Sequence, residues 1–110
     1  KIGINLTTLP PGKESSMRHW HTREDEFVFI VSGEVVLKTD SGEQLLTAGM
    51  CAGFAAGNGD GHQLINRSAA AVTYLEISNR DPEDGAHYPD VDMDLPTRRG
   101  GFRRKDGTLY

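Results

Sequence analysis

The chain has 110 residues, 36% hydrophobic and 25% charged, with Lys+Arg 12 against Asp+Glu 16 and a net charge of −4. At roughly 100–200 residues per domain this is one domain, with material for a single modest core. No apolar run approaches the ~18–20 residues of a membrane helix, and the charge balance lacks the basic excess of a nucleic-acid binder. The one cysteine, Cys51, excludes an internal disulfide framework and suits a reducing, cytoplasmic compartment. No signal peptide is visible, and the sequence opens at Lys1 rather than Met, so a longer native N-terminus stays open.

Short alternating or β-branched runs follow one another at residues 27–31, 34–38, 44–46, 63–65 and 72–77. Turn signals separate them: Ser32-Gly33, Asp40-Ser41-Gly42, the glycine-rich stretch from Gly53 to Gly61, and Asn66-Arg67-Ser68. Strands at this spacing predict an all-β sandwich or barrel. Alanines at 69–71 favour helix, but Val72, Thr73, Tyr74 and Ile77 favour strand, and strand is the reading adopted. From Arg80 the chain turns polar, with six basic and seven acidic residues. The expected division is a barrel over 1–79 and a polar tail over 80–110. That tail either packs on the barrel or a partner subunit, or stays solvated.

The chemistry concentrates between Gly12 and Gly33. In a strand His19 and His21 point the same way, with Cα atoms roughly 6.6 Å apart at ~3.3 Å per residue, a span two imidazoles can bridge to one ion. Glu26 opens the next apolar run on the face of Val28 and Ile30, where a carboxylate is costly unless paired or metal-bound. His62 shares a face with Leu64. Three imidazoles and one carboxylate suit a divalent transition metal such as Fe, Mn, Ni, Cu or Zn. The competing reading is four unrelated polar residues, since a lone His-x-His arises often by chance.

Gly12, His19, His21, Glu26 and Gly33 resemble the first motif of the cupin superfamily, with one extra residue between Gly12 and His19. Gly49, Gly59, His62 and Asn66 resemble the second, with Gly57 where proline is usual and two extra residues before Gly59. The resemblance implies a double-stranded β-helix (jelly-roll) barrel in which His19, His21, Glu26 and His62 are the metal ligands. The tail segments Tyr88-Pro89-Asp90-Val91-Asp92 and Lys105-Asp106-Gly107-Thr108-Leu109-Tyr110 resemble those of small bacterial single-domain cupins.

Phe27, Phe29 and Val31 face outward and need a cover: a second copy in a homodimer, which the family resemblance favours, or the N-terminal segment or the tail. Trp20 points away from the histidines. Thr73, Leu75 and Ile77, the more apolar set, are expected inward. Met17 is expected as core filler, Glu24 and Asp25 as an exposed acidic turn, His87 as solvated, and Cys51 as inert. Asn66 and Tyr74 are candidate polar groups near the site. The expected function is a metal-dependent enzyme acting on a small molecule, dioxygenase- or isomerase-like. The alternative is a non-catalytic ligand-binding or sensor cupin with a structural metal, and a storage-type structural role is a weaker third.

Overall fold

A computed structural model describes residues 1–97 and 100–109; Arg98 and Arg99 of the basic tail group, and Tyr110, lie outside the described residues. Ten strands are described: β1 (Ile2–Leu9), β2 (Trp20–His21), β3 (Glu26–Ser32), β4 (Glu34–Thr39), β5 (Gly42–Thr47), β6 (Cys51–Phe54), β7 (Gln63–Ile65), β8 (Val72–Asn79), β9 (Ala86–Tyr88) and β10 (Met93–Leu95). No helix among the described residues is long and apolar enough to cross a membrane.

One layer is the antiparallel sheet β1-β8-β3-β6. The other is assembled from β5-β4-β7 and β10-β9-β2, joined because the segment leading into β2 bridges β7 at Glu14–Ile65 and His19–His62. The fold is all-β, as the strand spacing predicts, and its layers form the jelly roll that the family resemblance implies. The core lies between the layers: Leu9, Val28, Ile30, Val35, Leu37, Leu46, Leu64, Val72 and Tyr74. In β3 and β4 the buried residues alternate, Val28 and Ile30 against Val35 and Leu37, which is the period-2 pattern of a half-buried strand.

The β3–β4 turn depends on Gly33, whose φ is +85°. A Cβ there would lie 2.7 Å from the Ala71 carbonyl oxygen, so the position excludes a side chain on both conformational and steric grounds.

Strand β8 corrects one expectation. Val72 and Tyr74 are buried, and Glu76 follows them onto the inner face. Thr73, Leu75 and Ile77 face outward, opposite Thr8, Leu6 and Ile4 of β1. Their apolarity belongs to an outer sheet surface that is itself apolar: Ile2, Ile4, Leu6, Phe27 and Val31 are all exposed. The N-terminal strand therefore extends this surface edge to edge and leaves it uncovered.

Chain beyond residue 80 returns to the barrel. Strand β9 pairs with β2 in the register Trp20–His87 and His21–Ala86, and β10 pairs with β9. Arg18 ties this segment down through a bidentate pair with Asp90 (2.9 Å to each oxygen), a bond to the Gly61 carbonyl (3.1 Å) and a contact with Asp40. His87, expected in solvent, is half-buried and stacked on Trp20 at 4.4 Å, because the β2–β9 register sets the two rings side by side. Trp20 does point away from the two histidines that flank it, into this stack.

Candidate metal centre

Four side chains remote in sequence meet at one end of the barrel. His19 and His62 are held opposite each other by two backbone hydrogen bonds, His19 N to His62 O (3.1 Å) and His62 N to His19 O (2.8 Å). His21 lies two residues along the same strand, so its ring falls on the same side, with a centroid separation of 4.9 Å from His19. Glu26, at the start of β3, reaches in from the facing sheet.

Glu26 Oε1 lies 3.0 Å from His21 Nε2 and 3.0 Å from His62 Nε2. That oxygen is buried and receives no well-directed hydrogen bond. Ligand atoms of His19, His21 and Glu26 all lie within 4.8 Å of one another. With metal–ligand bonds of ~2.1 Å, neighbouring ligands at right angles stand about 3.0 Å apart. The spacing of His19, His21 and Glu26 and the unbonded carboxylate oxygen therefore fit a single divalent ion, and imidazoles with a carboxylate are donors for a transition metal; His62 lies outside that mutually close group and meets it through Glu26 Oε1.

Each ring is braced. His19 Nδ1 donates to the Met17 carbonyl at 2.8 Å, which leaves Nε2 as its lone-pair nitrogen. This is the part Met17 plays; its side chain is exposed and not core filler. His62 stacks on Phe54 at 3.8 Å with planes 5° apart. His21 Nδ1 lies 2.7 Å from Asp84 Oδ2.

The electrostatics follow from crowding. Burial opposes the charge on Glu26, but His21 and His62 overcome it and hold the carboxyl far below its usual range. Burial likewise lowers His21, yet Glu26 and Asp84 outweigh it and raise the ring to about 9. His19 is shifted down, chiefly by burial. Glu76 is pushed up by burial and by the charge of Glu26, so it holds its proton more tightly than an ordinary glutamate.

Two small chambers flank the cluster. An inner one of about 180 Å³ is lined by Ser15, Ser16, His19, Glu26, His62, Leu64 and Glu76. An outer one of about 220 Å³ lies between the barrel and the returning tail, lined by His19, His21, Asp84, Gly85, Ala86, Tyr88 and Leu95. His19 borders both.

Several residues differ from expectation. Glu24 is 3% exposed, not a surface acid, because its Oε2 accepts the Asp81 amide at 3.0 Å and anchors the loop after β8. Asp25 is exposed, but its Oδ1 caps the Ala56 amide at 2.7 Å. Asn66 is fully buried and structural: its amide bonds the Leu9 and Ala70 carbonyls, away from the site. Tyr74 is buried in the core and lines neither chamber, whereas Glu76, two residues along the same face, lines the inner one. Asp84, Glu76 and Tyr88 went unremarked as site residues. For Glu76 the signal was present, since it shares parity with Tyr74. For Asp84, 63 residues from His21, none was.

The fold and the clustered donors define a jelly-roll protein with a candidate metal centre near one end of the barrel. The family model Cupin_2, described as a cupin domain, matches residues 5–78, and the chain belongs to the cupin family. It is similar to a sugar phosphate isomerase of the cupin superfamily from Silicibacter pomeroyi DSS-3: 43% identity, TM-score 0.93, covering 99% of this chain and 71% of that one. A candidate sugar phosphate isomerase from Acidithiobacillus ferrooxidans is 28% identical, with a TM-score of 0.85 over 93% of this chain and 65% of that one. A Cupin 2 conserved barrel domain protein from Salinispora arenicola shares the fold at 20% identity and a TM-score of 0.64, over 72% and 63% of the two chains. No curated protein matches.

Proposed function

We propose that the chain is a metal-dependent enzyme of isomerase type, acting on a small hydroxy-carbonyl compound of the sugar class. The observation that carries the reading is the approach of two Nε2 atoms, from His21 and His62, to one unbonded oxygen of Glu26 beside His19. His19, His21, Glu26 and His62 would hold one divalent ion, Fe, Mn, Ni, Cu or Zn. When bound, such an ion supplies Lewis-acid polarisation of a carbonyl or hydroxyl oxygen.

Interconversion of a hydroxy-carbonyl pair moves a proton between neighbouring carbons and oxygens, which needs a group able to hold and release it. Glu76 stands in the inner chamber with a raised affinity for its proton, and the Ser15 and Ser16 residues line the same space. Tyr88 presents its ring to the outer chamber, where burial keeps its hydroxyl protonated. The similarity to a sugar phosphate isomerase over 99% of the chain supports this class over dioxygenase chemistry. Among the described residues lining the two chambers there is no Arg or Lys, so recognition of a phosphate is not part of the proposal. The modest chamber volumes are the observation that favours the second reading, a binding or sensor cupin for a very small ligand.

A second copy is the proposed cover for the apolar outer face of β1-β8-β3-β6, which runs continuously from Ile2, Ile4 and Leu6 to Phe27 and Val31. The deciding experiment is metal analysis of the purified protein, followed by a screen of aldoses, ketoses and their phosphates with that metal. One ion per chain and turnover of a sugar pair is the expected result. Failure to bind any of the five metals would overturn the reading; binding without turnover would favour the sensor.

A further inference from the structure

Asp84 is 1% exposed and lies on the loop after β8, beyond the residues that match the cupin domain. Both of its oxygens are committed. Oδ1 accepts the backbone amides of Arg23 (2.9 Å) and Glu24 (3.0 Å), and Oδ2 meets His21 Nδ1 at 2.7 Å. The loop itself is clamped to the strand that carries His21: Thr22 N donates to the Gly85 carbonyl (3.1 Å), and Gly85 N donates to Thr22 Oγ1 (3.1 Å). Gly85 has no room for a side chain, since a Cβ would lie 2.3 Å from the Pro96 carbonyl oxygen. The carboxylate can neither rotate nor withdraw without breaking these bonds.

We propose that Asp84 is a positioning residue for the metal centre, fixing the His21 ring in the tautomer that carries its proton on Nδ1. A carboxylate only accepts, so the proton in the short Nδ1–Oδ2 bond belongs to the ring. When the ring carries a single proton, Nδ1 keeps it, because Nε2 makes no well-directed hydrogen bond to Glu26 Oε1 while Nδ1 does to Asp84, and the Nε2 lone pair is then directed at the cluster formed with His19, Glu26 and His62. Metal-bound histidines commonly donate their second N–H to a carboxylate in this way, which fixes the ring and raises its basicity. For its consequence the inference rests on the metal reading above; for the tautomer it rests on geometry alone. Nearby Glu24 completes a second carboxylate–imidazole group with His21 and Asp84. Oxygens of both acids in that group are occupied by backbone amides, which makes it a brace for His21.

The test is the pair Asp84→Asn and Asp84→Ala. In Asp84→Asn the amide carbonyl takes the place of Oδ1 beneath the two backbone N–H groups, and the NH₂ group faces Nδ1. Because NH₂ donates, it requires a lone pair on Nδ1 and moves the ring proton to Nε2, the nitrogen that would bind the ion. Zn²⁺ affinity, measured by chelator competition, is expected to fall about 10–100-fold in Asp84→Asn, at least as far as in Asp84→Ala. A packing role predicts the reverse order, with the near-isosteric Asn the milder change. Long-range ¹H–¹⁵N spectra of the metal-free protein, at a pH above the His21 titration, should place the proton on Nδ1 in wild type and on Nε2 in Asp84→Asn. Wild-type protonation on Nε2, or wild-type zinc affinity in Asp84→Asn, overturns the inference. Absence of zinc binding in wild type with the tautomer swap intact refutes the metal reading and leaves the control by Asp84 standing.

Discussion

Replacing Glu26 by Gln tests the centre through stability, with and without metal. Glu26 Oε1 is the negative pole between two imidazoles, and its side chain is 24% exposed against 16% for His21 and 10% for His62. Breaking a fully buried pair costs about 3–5 kcal/mol. Partial exposure here and the retained amide oxygen reduce this to about 2 kcal/mol in the presence of a chelator, or roughly 10 °C in Tm for a domain of this size. Zinc at a hundredfold excess over its Kd should stabilise wild type by a further ~2.7 kcal/mol, and Glu26→Gln should lose most of that increment. Urea denaturation with chelator and with Zn²⁺ measures both. Glu26→Leu separates them: an apolar isostere can restore metal-free stability, yet it should show no zinc increment. A Glu26→Gln variant as stable as wild type in chelator, with an undiminished zinc increment, would refute the assignment of Glu26 to the cluster.

The pH dependence has a definite sign. In the metal-free protein the contribution of His21, raised from 6.5 to about 9, is fully present below about pH 6.5 and lost as pH rises through about 9. The contribution of Glu26, depressed from 4.5, is present above that value and lost as pH falls through the folded pKa. Denaturation midpoints across pH should therefore fall on the alkaline side, whereas zinc affinity should rise there as the His21 proton becomes easier to displace. Tyr74 works against the upward shift of Glu76, so in Tyr74→Phe the Glu76 carboxyl should titrate higher still; a ¹³C carboxyl titration with no upward shift would contradict that influence. Gly33→Ala should cost about 2–4 kcal/mol, from the positive φ and the clash with Ala71, and a loss under ~1 kcal/mol in urea denaturation would argue against that turn geometry. Ile4→Glu with Leu6→Glu should halve the mass seen by sedimentation equilibrium, and a wild-type chain already sedimenting as a monomer would remove the dimer proposal.

Residues beyond 80 add β9 and β10, the outer chamber and Asp84. The tail thus adds a wall, from Asp84, Gly85, Ala86, Tyr88 and Leu95, beside His19 and His21.

Local chemistry alone determined a good deal. Short apolar and β-branched runs bounded by turn signals located β3, β4 and β8, because such residues fit a pleated, half-buried surface. Strand parity placed His19 and His21 side by side, and Gly33 marked a turn that only glycine tolerates. What the sequence left undecided required knowing which surfaces meet. Leu75 and Ile77 read as core from their apolarity, but strand pairing with β1 and β3 put them on an outer face that is itself apolar, and Tyr74 and Glu76 inside. Glu24 read as a surface acid until the loop after β8 folded back and supplied an amide to bury against. His87 lay in a polar stretch whose pairing with β2 set it against Trp20. Asp84 reaches His21 across 63 residues; a contact made by chain return leaves no periodic trace in the intervening residues, so only the tertiary structure could reveal it.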